Sequence, residues 1–349
     1  MKKIYAYLLF SVLVLLANPM FAGNPDRQGE AGANQLLINP WVRSAGLHTM
    51  NTASTTGSEA MFLNVAGLSR INKTQIQLSH TRYLSGADIN INALGFAQRV
   101  GKGGTFGISL VAFDLGDFDY TTEDNPEGTG AVFSPSFFNM GVSYAHLFDN
   151  KVSVGVTTKF VSETISNARA SAFAIDAGVQ YVSGPQDNFK FGISLRNVGS
   201  KMRFSGEGLS KALPNPGPFT YNNTYYERAT AYELPSQLNI GMSYDWVLGR
   251  TSRLGFVANF TSNSFSRDQV GGGLEFSLGQ NFALRAGYKA ELDKSEGDLE
   301  ATLDNGFAGG FSVSVPLKKD TKSRLSIDYA YRTTDIYNGI HNIGLRIDL

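Results

Sequence analysis

Four histidines, His48, His80, His146 and His341, are the side chains of this 349-residue chain best suited to hold a metal or pass a proton. Their separations fit no metal-ligand spacing, so they read as polar residues at an interface or a lumen. Cysteine is absent, which removes disulfides, thiolate ligands and cysteine nucleophiles. There is no G-x-S-x-G element, and no serine has a histidine and an acid at recognisable spacing. The densest carboxylate run, DLGDFDYTTEDNPE, carries Asp114, Asp117, Asp119, Glu123, Asp124 and Glu127. Such oxygens could take Ca²⁺, but the EF-hand order and its twelfth-position Glu are missing, which favours a solvated loop. No catalytic, cofactor or metal residue is expected, and the chain does not read as an enzyme.

Two stretches could instead bind by contact. Residues 198–234 include LPNPGPFTYNNTYYERATAYELP, stiffened by Pro214, Pro216 and Pro218. Its Phe219, Tyr221, Tyr225 and Tyr226 are candidate partner-binding residues, since rigid backbone and tyrosines suit protein recognition. The sequence equally allows these rings, with Tyr232, to pack down and close a mouth. Gly271, Gly272 and Gly273 fall inside a strand pattern and mark a possible bulge, a bend or the close approach of another backbone.

These residues need elements to hold them, and the elements are strands. In QLNIGMSYDW (237–246), Leu238, Ile240, Met242, Tyr244 and Trp246 oppose Gln237, Asn239, Gly241, Ser243 and Asp245. The same period recurs in fourteen segments: 74–83, 89–99, 105–113, 137–148, 152–162, 170–182, 189–197, 235–246, 253–263, 268–278, 282–292, 306–316, 324–332 and 340–349. Most are about ten residues long, which at a tilt near 45° crosses a bilayer core. Every second connection is short, while the others reach about 23 residues at 114–136 and about 37 at 198–234. Short turns on one rim and long loops on the other are the arrangement of an outer-membrane barrel.

A soluble sandwich also alternates, but its outer faces would be charged. Here charged residues are only 17% of the chain, and the polar faces are rich in Gly, Ser, Asn and Thr. The apolar faces carry Tyr244, Trp246, Tyr329 and Tyr331 near strand ends, as interfacial girdles do. The reading is an all-β, 14-stranded antiparallel transmembrane β-barrel whose oily faces touch outer-membrane lipid. Thirty basic residues balance thirty acidic ones, so nothing draws nucleic acid. Inward-facing Lys159, Asp176, Lys190, Arg196, Asp245, Glu275, Arg285, Lys289, Asp328 and Arg346 mix both signs, which suits pairing with a folded-in segment better than an ion-selective pore.

The N-terminus reads as a signal peptide over 1–22, with Lys2 and Lys3 before an apolar run at Leu8–Leu16. Residues 23–73 do not alternate, and 74–349 form the barrel. The 23–73 stretch resembles the N-terminal region of the PorV/PorQ family of outer-membrane proteins, which share the FadL-type fold. Leu36, Leu37, Ile38, Arg43 and Met50 fit a leucine-rich opening and an Ala-Arg-x-x-x-Met-Gly stretch. Asn64, Ala66, Gly67 and Leu68 fit an Asn-Pro-Ala-Gly-Leu element, with Val65 in place of proline and Asn51 in place of the glycine after Met50. Further similarity lies at 113–130, 153–165 and 172–181, so it spans nearly the whole mature chain.

The resemblance implies a FadL-like barrel with residues 23–73 as an internal plug. It also implies a component of the type IX secretion system that docks secreted proteins, recognised by a C-terminal signal domain, or other components of that machinery. PorV-like and PorQ-like branches both remain open. The alternative is a FadL-like transporter of hydrophobic small molecules, which needs a contiguous apolar pocket under the loops. The expected location is the bacterial outer membrane, with long loops extracellular and both termini at the periplasmic, short-turn rim.

Overall fold

A strand with one apolar and one polar face needs a different medium on each side, and closing such strands into a ring supplies both. The computed structural model describes residues 27–149, 151–215, 217, 221–249, 251–292, 303, 305–317, 323–335 and 337–349. Among them, fourteen strands form one closed antiparallel barrel. They are β1 (Thr74–Tyr83), β2 (Ile89–Val100), β3 (Gly104–Asp114), β4 (Ser136–Phe148), β5 (Val152–Ile165), β6 (Ala168–Ser183) and β7 (Phe189–Gly199). The second half comprises β8 (Gln237–Leu248), β9 (Ser252–Asn263), β10 (Gln269–Leu278), β11 (Phe282–Glu291), β12 (Gly306–Pro316), β13 (Arg324–Arg332) and β14 (Ile340–Asp348). Each pairs with its neighbour in sequence, and β14 closes on β1 with Ile347 opposite Ile76 and Leu345 opposite Leu78.

The interior and exterior are exchanged relative to a water-soluble protein. On β6, Ala172, Ala174, Asp176, Gly178 and Gln180 are buried, while Phe173, Ile175, Val179 and Tyr181 point outward. Phe173 is 63% and Phe307 67% exposed. Each such side chain left in water would forgo about 1.5–3 kcal/mol. A continuous wall of them is a lipid-facing surface.

The connections 101–103, 149–151, 184–188, 249–251, 279–281 and 317–323 share one rim. The opposite rim carries the loops 115–135 and 200–236, and each of these contains a small hairpin that the alternation does not announce. Phe118–Asp119 pairs with Val132–Phe133, and Ser210–Pro214 pairs with Asn222–Tyr226.

Residues 34–70 fold as short helical turns inside the ring: Asn34–Leu37, Val42–Ala45, Ala60–Leu63 and Val65–Arg70. No described helix is long and apolar enough to cross a membrane. The expected signal peptide, 1–22, lies outside the described residues.

Two expectations are corrected. Leu349 N–H donates to the Thr74 carbonyl at 2.9 Å, so the two ends of the barrel do meet at the short-turn rim. The first described residue, Arg27, lies instead at the other rim, where it reaches Glu233 at 3.3 Å and covers the Phe265 ring at 4.3 Å. Strand parity fixes the ends of the barrel but not of a segment that runs the length of its lumen.

The possible bulge at Gly271–Gly273 is likewise absent. Register runs unbroken through all three glycines on both sides. The shift falls instead between Ile175 and Ala177, where Arg196 and Asn197 together oppose Asp176. Asn197 takes a left-handed φ of 59°, and its N–H donates to Asp176 Oδ1 at 2.7 Å.

Candidate functional site

Glycine on the inner wall lets a second backbone lie directly against the barrel. A Cβ at Gly287 would sit 2.6 Å from the Leu47 carbonyl carbon, and one at Gly155 would sit 2.8 Å from that of Val65. At Gly192 it would sit 2.7 Å from the Thr52 carbonyl oxygen. The triplet differs: a Cβ at Gly271 would meet the Tyr288 carbonyl of the adjoining strand and Met50 Sδ at 2.8 Å, and one at Gly273 would meet the Ala286 carbonyl at 2.8 Å and the Leu47 side chain at 3.0 Å. Gly155, Gly192 and Gly287 thus admit a second backbone, while Gly271 and Gly273 make room for the side chains of Met50 and Leu47.

Polar wall side chains then reach the backbone carbonyls of this inner segment, which short helical turns leave unsatisfied. Ser79 Oγ donates to the Pro40 carbonyl at 2.6 Å, and Asn342 donates to the same oxygen at 3.3 Å. Arg332 donates to Asn39 O at 3.0 Å, and Arg196 to Leu36 O at 3.3 Å. Gln180 holds Thr52 O and Thr55 O at 3.1 and 3.0 Å.

The lumenal charges pair mainly with one another. Lys159 meets Asp176 at 2.5 Å, Lys190 meets Asp245 at 2.6 Å and Arg285 meets Glu275 at 2.5 Å. The segment contributes its own pair, Arg43 with Glu59 at 2.8 Å. Mixed signs therefore neutralise the wall, and hydrogen bonds to carbonyls do most of the gripping.

The residues singled out in 23–73 are distributed along this contact. Leu36 is buried against Met202, Leu234 and Ala172 under the long loops, and Leu37 lines the mouth beside it. Arg43 also donates to Thr56 O at 2.6 Å, bracing the segment against itself. Met50 packs with Leu47 and Val257. Asn64 donates to Thr52 O at 3.0 Å and Val179 O at 3.1 Å, and accepts from Ala66 N–H at 3.3 Å. Ala66 is fully buried, and Gly67 leaves no room for a side chain, since a Cβ would lie 2.1 Å from Thr55 O. Leu68 joins Met61, Ile71, Ala97 and Ala145 near the short-turn rim.

At the long-loop rim the aromatic residues divide. Tyr232 packs down: its ring covers Gly32, and its hydroxyl donates to Glu163 at 2.6 Å. Burial first, and then that carboxylate, push the Tyr232 hydroxyl above its ordinary range. Beside it, Lys201 and then Arg27 hold the Glu233 carboxyl below its ordinary range, tying the N-terminal end to the loop. Tyr221, Tyr225 and Tyr226 point outward, at 54, 47 and 65% exposure. Phe219 lies outside the described residues.

Sequence reasoning missed a second aromatic group, Phe118, Tyr120 and Phe133, on the hairpin of the acidic loop. Phe118 and Phe133 stack at 5.8 Å. The aromatic residues of FDLGDFDY (113–120) stand among carboxylates, which favour solvent. A cavity of about 270 Å³ opens at this rim between the N-terminal segment and Pro235, Gln237, Asn263 and Phe265.

The family model described as type IX secretion system protein PorV matches residues 24–265. No curated protein matches the sequence. Among solved structures, the CymD monoaromatic hydrocarbon channel shares 15% identity and a TM-score of 0.53 over 89% of this chain and 96% of its own. The Pseudomonas putida toluene transporter TodX gives 13% identity and 0.53 over 89 and 97%, and a Pseudomonas aeruginosa FadL homologue gives 11% and 0.52 over 88 and 98%. These likenesses show the fold alone.

Proposed function

The chain belongs to the PorV family of type IX secretion system proteins, and on that premise we propose that it docks secreted proteins at the cell surface through its long-loop rim. It is an outer-membrane β-barrel of FadL-like architecture. In the proposed mechanism residues 27–73 act as a fixed plug. Cargo carrying a C-terminal signal domain is held by the loops 200–236 and 115–135 rather than passed through the lumen. Long loops then face the exterior, short turns face the periplasm, and no chemical step is required.

The exposure of Tyr221, Tyr225 and Tyr226 on the 210–214/222–226 hairpin carries this reading. Tyrosines that close a mouth would be packed as Tyr232 is, whereas these three offer rigid aromatic area to a partner.

The mouth cavity favours a second reading, a FadL-like transporter of hydrophobic small molecules. Leu37, Ile38 and Phe265 line it, together with Gln28, Asn34 and Asn263.

One experiment separates the two. Phe219, Tyr221, Tyr225 and Tyr226 are changed together to alanine, and the variant is assayed for heat-modifiability, co-purifying secreted proteins and growth on long-chain lipids. Buried aromatic anchors cost ~2 kcal/mol or more each when truncated, so cargo retention should fall at least about thirtyfold with the barrel intact. Retained cargo with impaired lipid use would sink docking and support transport.

A further inference from the structure

Among the described residues, the lipid-facing wall turns polar over consecutive outward positions of β1 and β2. On β8 the outward residues run Leu238, Ile240, Met242, Tyr244 and Trp246. On β1 they run Ile76 and Leu78, then His80 and Arg82; on β2 they run Phe96 and Leu94, then Asn92 and Asn90. At ~3.3 Å per residue and the usual barrel tilt, two apolar residues per strand cover only about 10 Å of a band that stands about 25 Å tall. His80 and Asn92 therefore lie at membrane depth, on the side nearer the long loops. Polar residues facing hydrocarbon are costly and mark a function by default.

Their geometry is that of a site. His80 Nδ1 lies 2.9 Å from Asn92 Oδ1, which makes Nδ1 the donor and turns Nε2 and the Asn92 amide N–H₂ toward any third group. Below the pair the wall is hollowed into a groove of about 560 Å³ lined by Leu78, Leu94, Leu110, Ile327, Ile343 and Leu345. Above it stand Arg82 and Asn90, with Asp88 4.0 Å from the Arg82 guanidinium. His341 is opposite Arg82 in register, and its ring lies 5.0 Å from that of Tyr331, tilted by 54°.

We propose that this groove on β13, β14, β1, β2 and β3 is a binding site for an acylated glycolipid of the outer leaflet, its acyl chain in the groove and its sugar head on His80, Asn92, Asn90 and Arg82. An apolar groove capped by polar groups on a membrane-embedded wall fits an amphiphile whose tail and head lie in that order. The head is a sugar because the cap mixes amides, an imidazole, a guanidinium and the Asp88 carboxylate beside the planar rings of Tyr331 and His341. Hydroxyls both donate to and accept from such a set, whereas a head that offers phosphate oxygens without sugar hydroxyls would face Asp88 and Asp114, the latter opposite Asn90 in register, with nothing to donate to them.

The test is native mass spectrometry of the intact protein in mild detergent, titrated with lipid A and separately with phosphatidylglycerol. His80→Leu with Asn92→Leu makes this stretch of wall as apolar as its neighbours, so the barrel should remain heat-modifiable. Two neutral hydrogen bonds correspond to about a tenfold loss of lipid A occupancy. Phosphatidylglycerol occupancy should not change. Equal lipid A occupancy in wild type and variant would overturn the proposal. So would an equal loss of both lipids, which would mean general acyl or phosphate binding, or the loss of a co-purifying membrane protein alone, which would make the groove a protein contact. The tyrosine variant of the long loop should bind lipid A as wild type does.

Discussion

If wall glycines exist to let the plug lie against the barrel, adding single carbons there should expel the plug and spare the wall. Gly155→Ala, Gly192→Ala and Gly287→Ala place a methyl group at 2.8, 2.7 and 2.6 Å from plug backbone, where ordinary contact begins near 3.4 Å. Backbone cannot rotate away as a side-chain tip can, so the plug must shift by several tenths of an ångström at three separate points. Overpacking costs about 1–3 kcal/mol per site, and distant sites add approximately, which gives about 3–9 kcal/mol for the triple variant. That is comparable to the whole stability of a typical domain. The strands keep their register and their outward faces, so the barrel should still form. The assay combines heat-modifiability, protease cleavage within 27–73 and conductance in planar bilayers. The expected triple variant is heat-modifiable, cleaved in the plug and conductive. Gly309→Ala is the control, because that glycine faces outward and its added carbon meets nothing closer than 3.6 Å. A triple variant as protected and as closed as wild type would refute the idea that these glycines seat the plug.

Asp176→Asn should lower the unfolding temperature of the heat-modifiable form, because it leaves the buried Lys159 ammonium without its counter-charge at a cost of about 3–5 kcal/mol. Adding Lys159→Met should recover most of the loss, and no recovery would show that the pair contributes through something other than charge. Since the chain has no cysteine, single cysteines report topology cleanly. Gln28→Cys and Glu123→Cys should react with an impermeant maleimide on whole cells, and Gln280→Cys only after lysis; the reverse pattern would invert the orientation.

The barrel was legible because alternation with period 2 is imposed by the lipid on every strand, and no tertiary accident can override it without exposing a polar face. Even Thr74–Tyr83 and Ile89–Val100, which alternate poorly, appear in the expected places. The reason for their weak pattern is specific: His80, Arg82, Asn90 and Asn92 make their outward faces polar. The plug was legible as a resemblance and as an absence of alternation, but its path was not. Nothing local in residues 27–38 says that they sit near Glu233 and Phe265, since those contacts are made across about 200 residues of chain. The two rim hairpins escaped for a similar reason. Pairings of two and five residues carry too short a period to stand out from proline- and acid-rich loops.

The misplaced bulge shows how a correct physical rule selects the wrong member of its own list. Glycine in a strand marks a bulge or a close approach, and the triplet at 271–273 is the densest glycine run in the chain. Yet this bulge needs a residue at φ > 0, and asparagine tolerates that conformation better than other residues with a side chain. At Asn197 the side chain adds what glycine lacks: it accepts from Lys159 at 3.0 Å and donates to the Pro235 carbonyl at 3.1 Å, while the backbone N–H donates to Asp176 Oδ1. The bulge is thereby stapled to a lumenal ion pair and to the root of the long loop. Glycine is left for the positions where only the missing Cβ matters, against the plug. The two devices divide the interior. Small residues seat the plug along the lumen, and one polar knot beneath the 200–236 loop fixes where that loop departs, which a docking surface built on that loop requires.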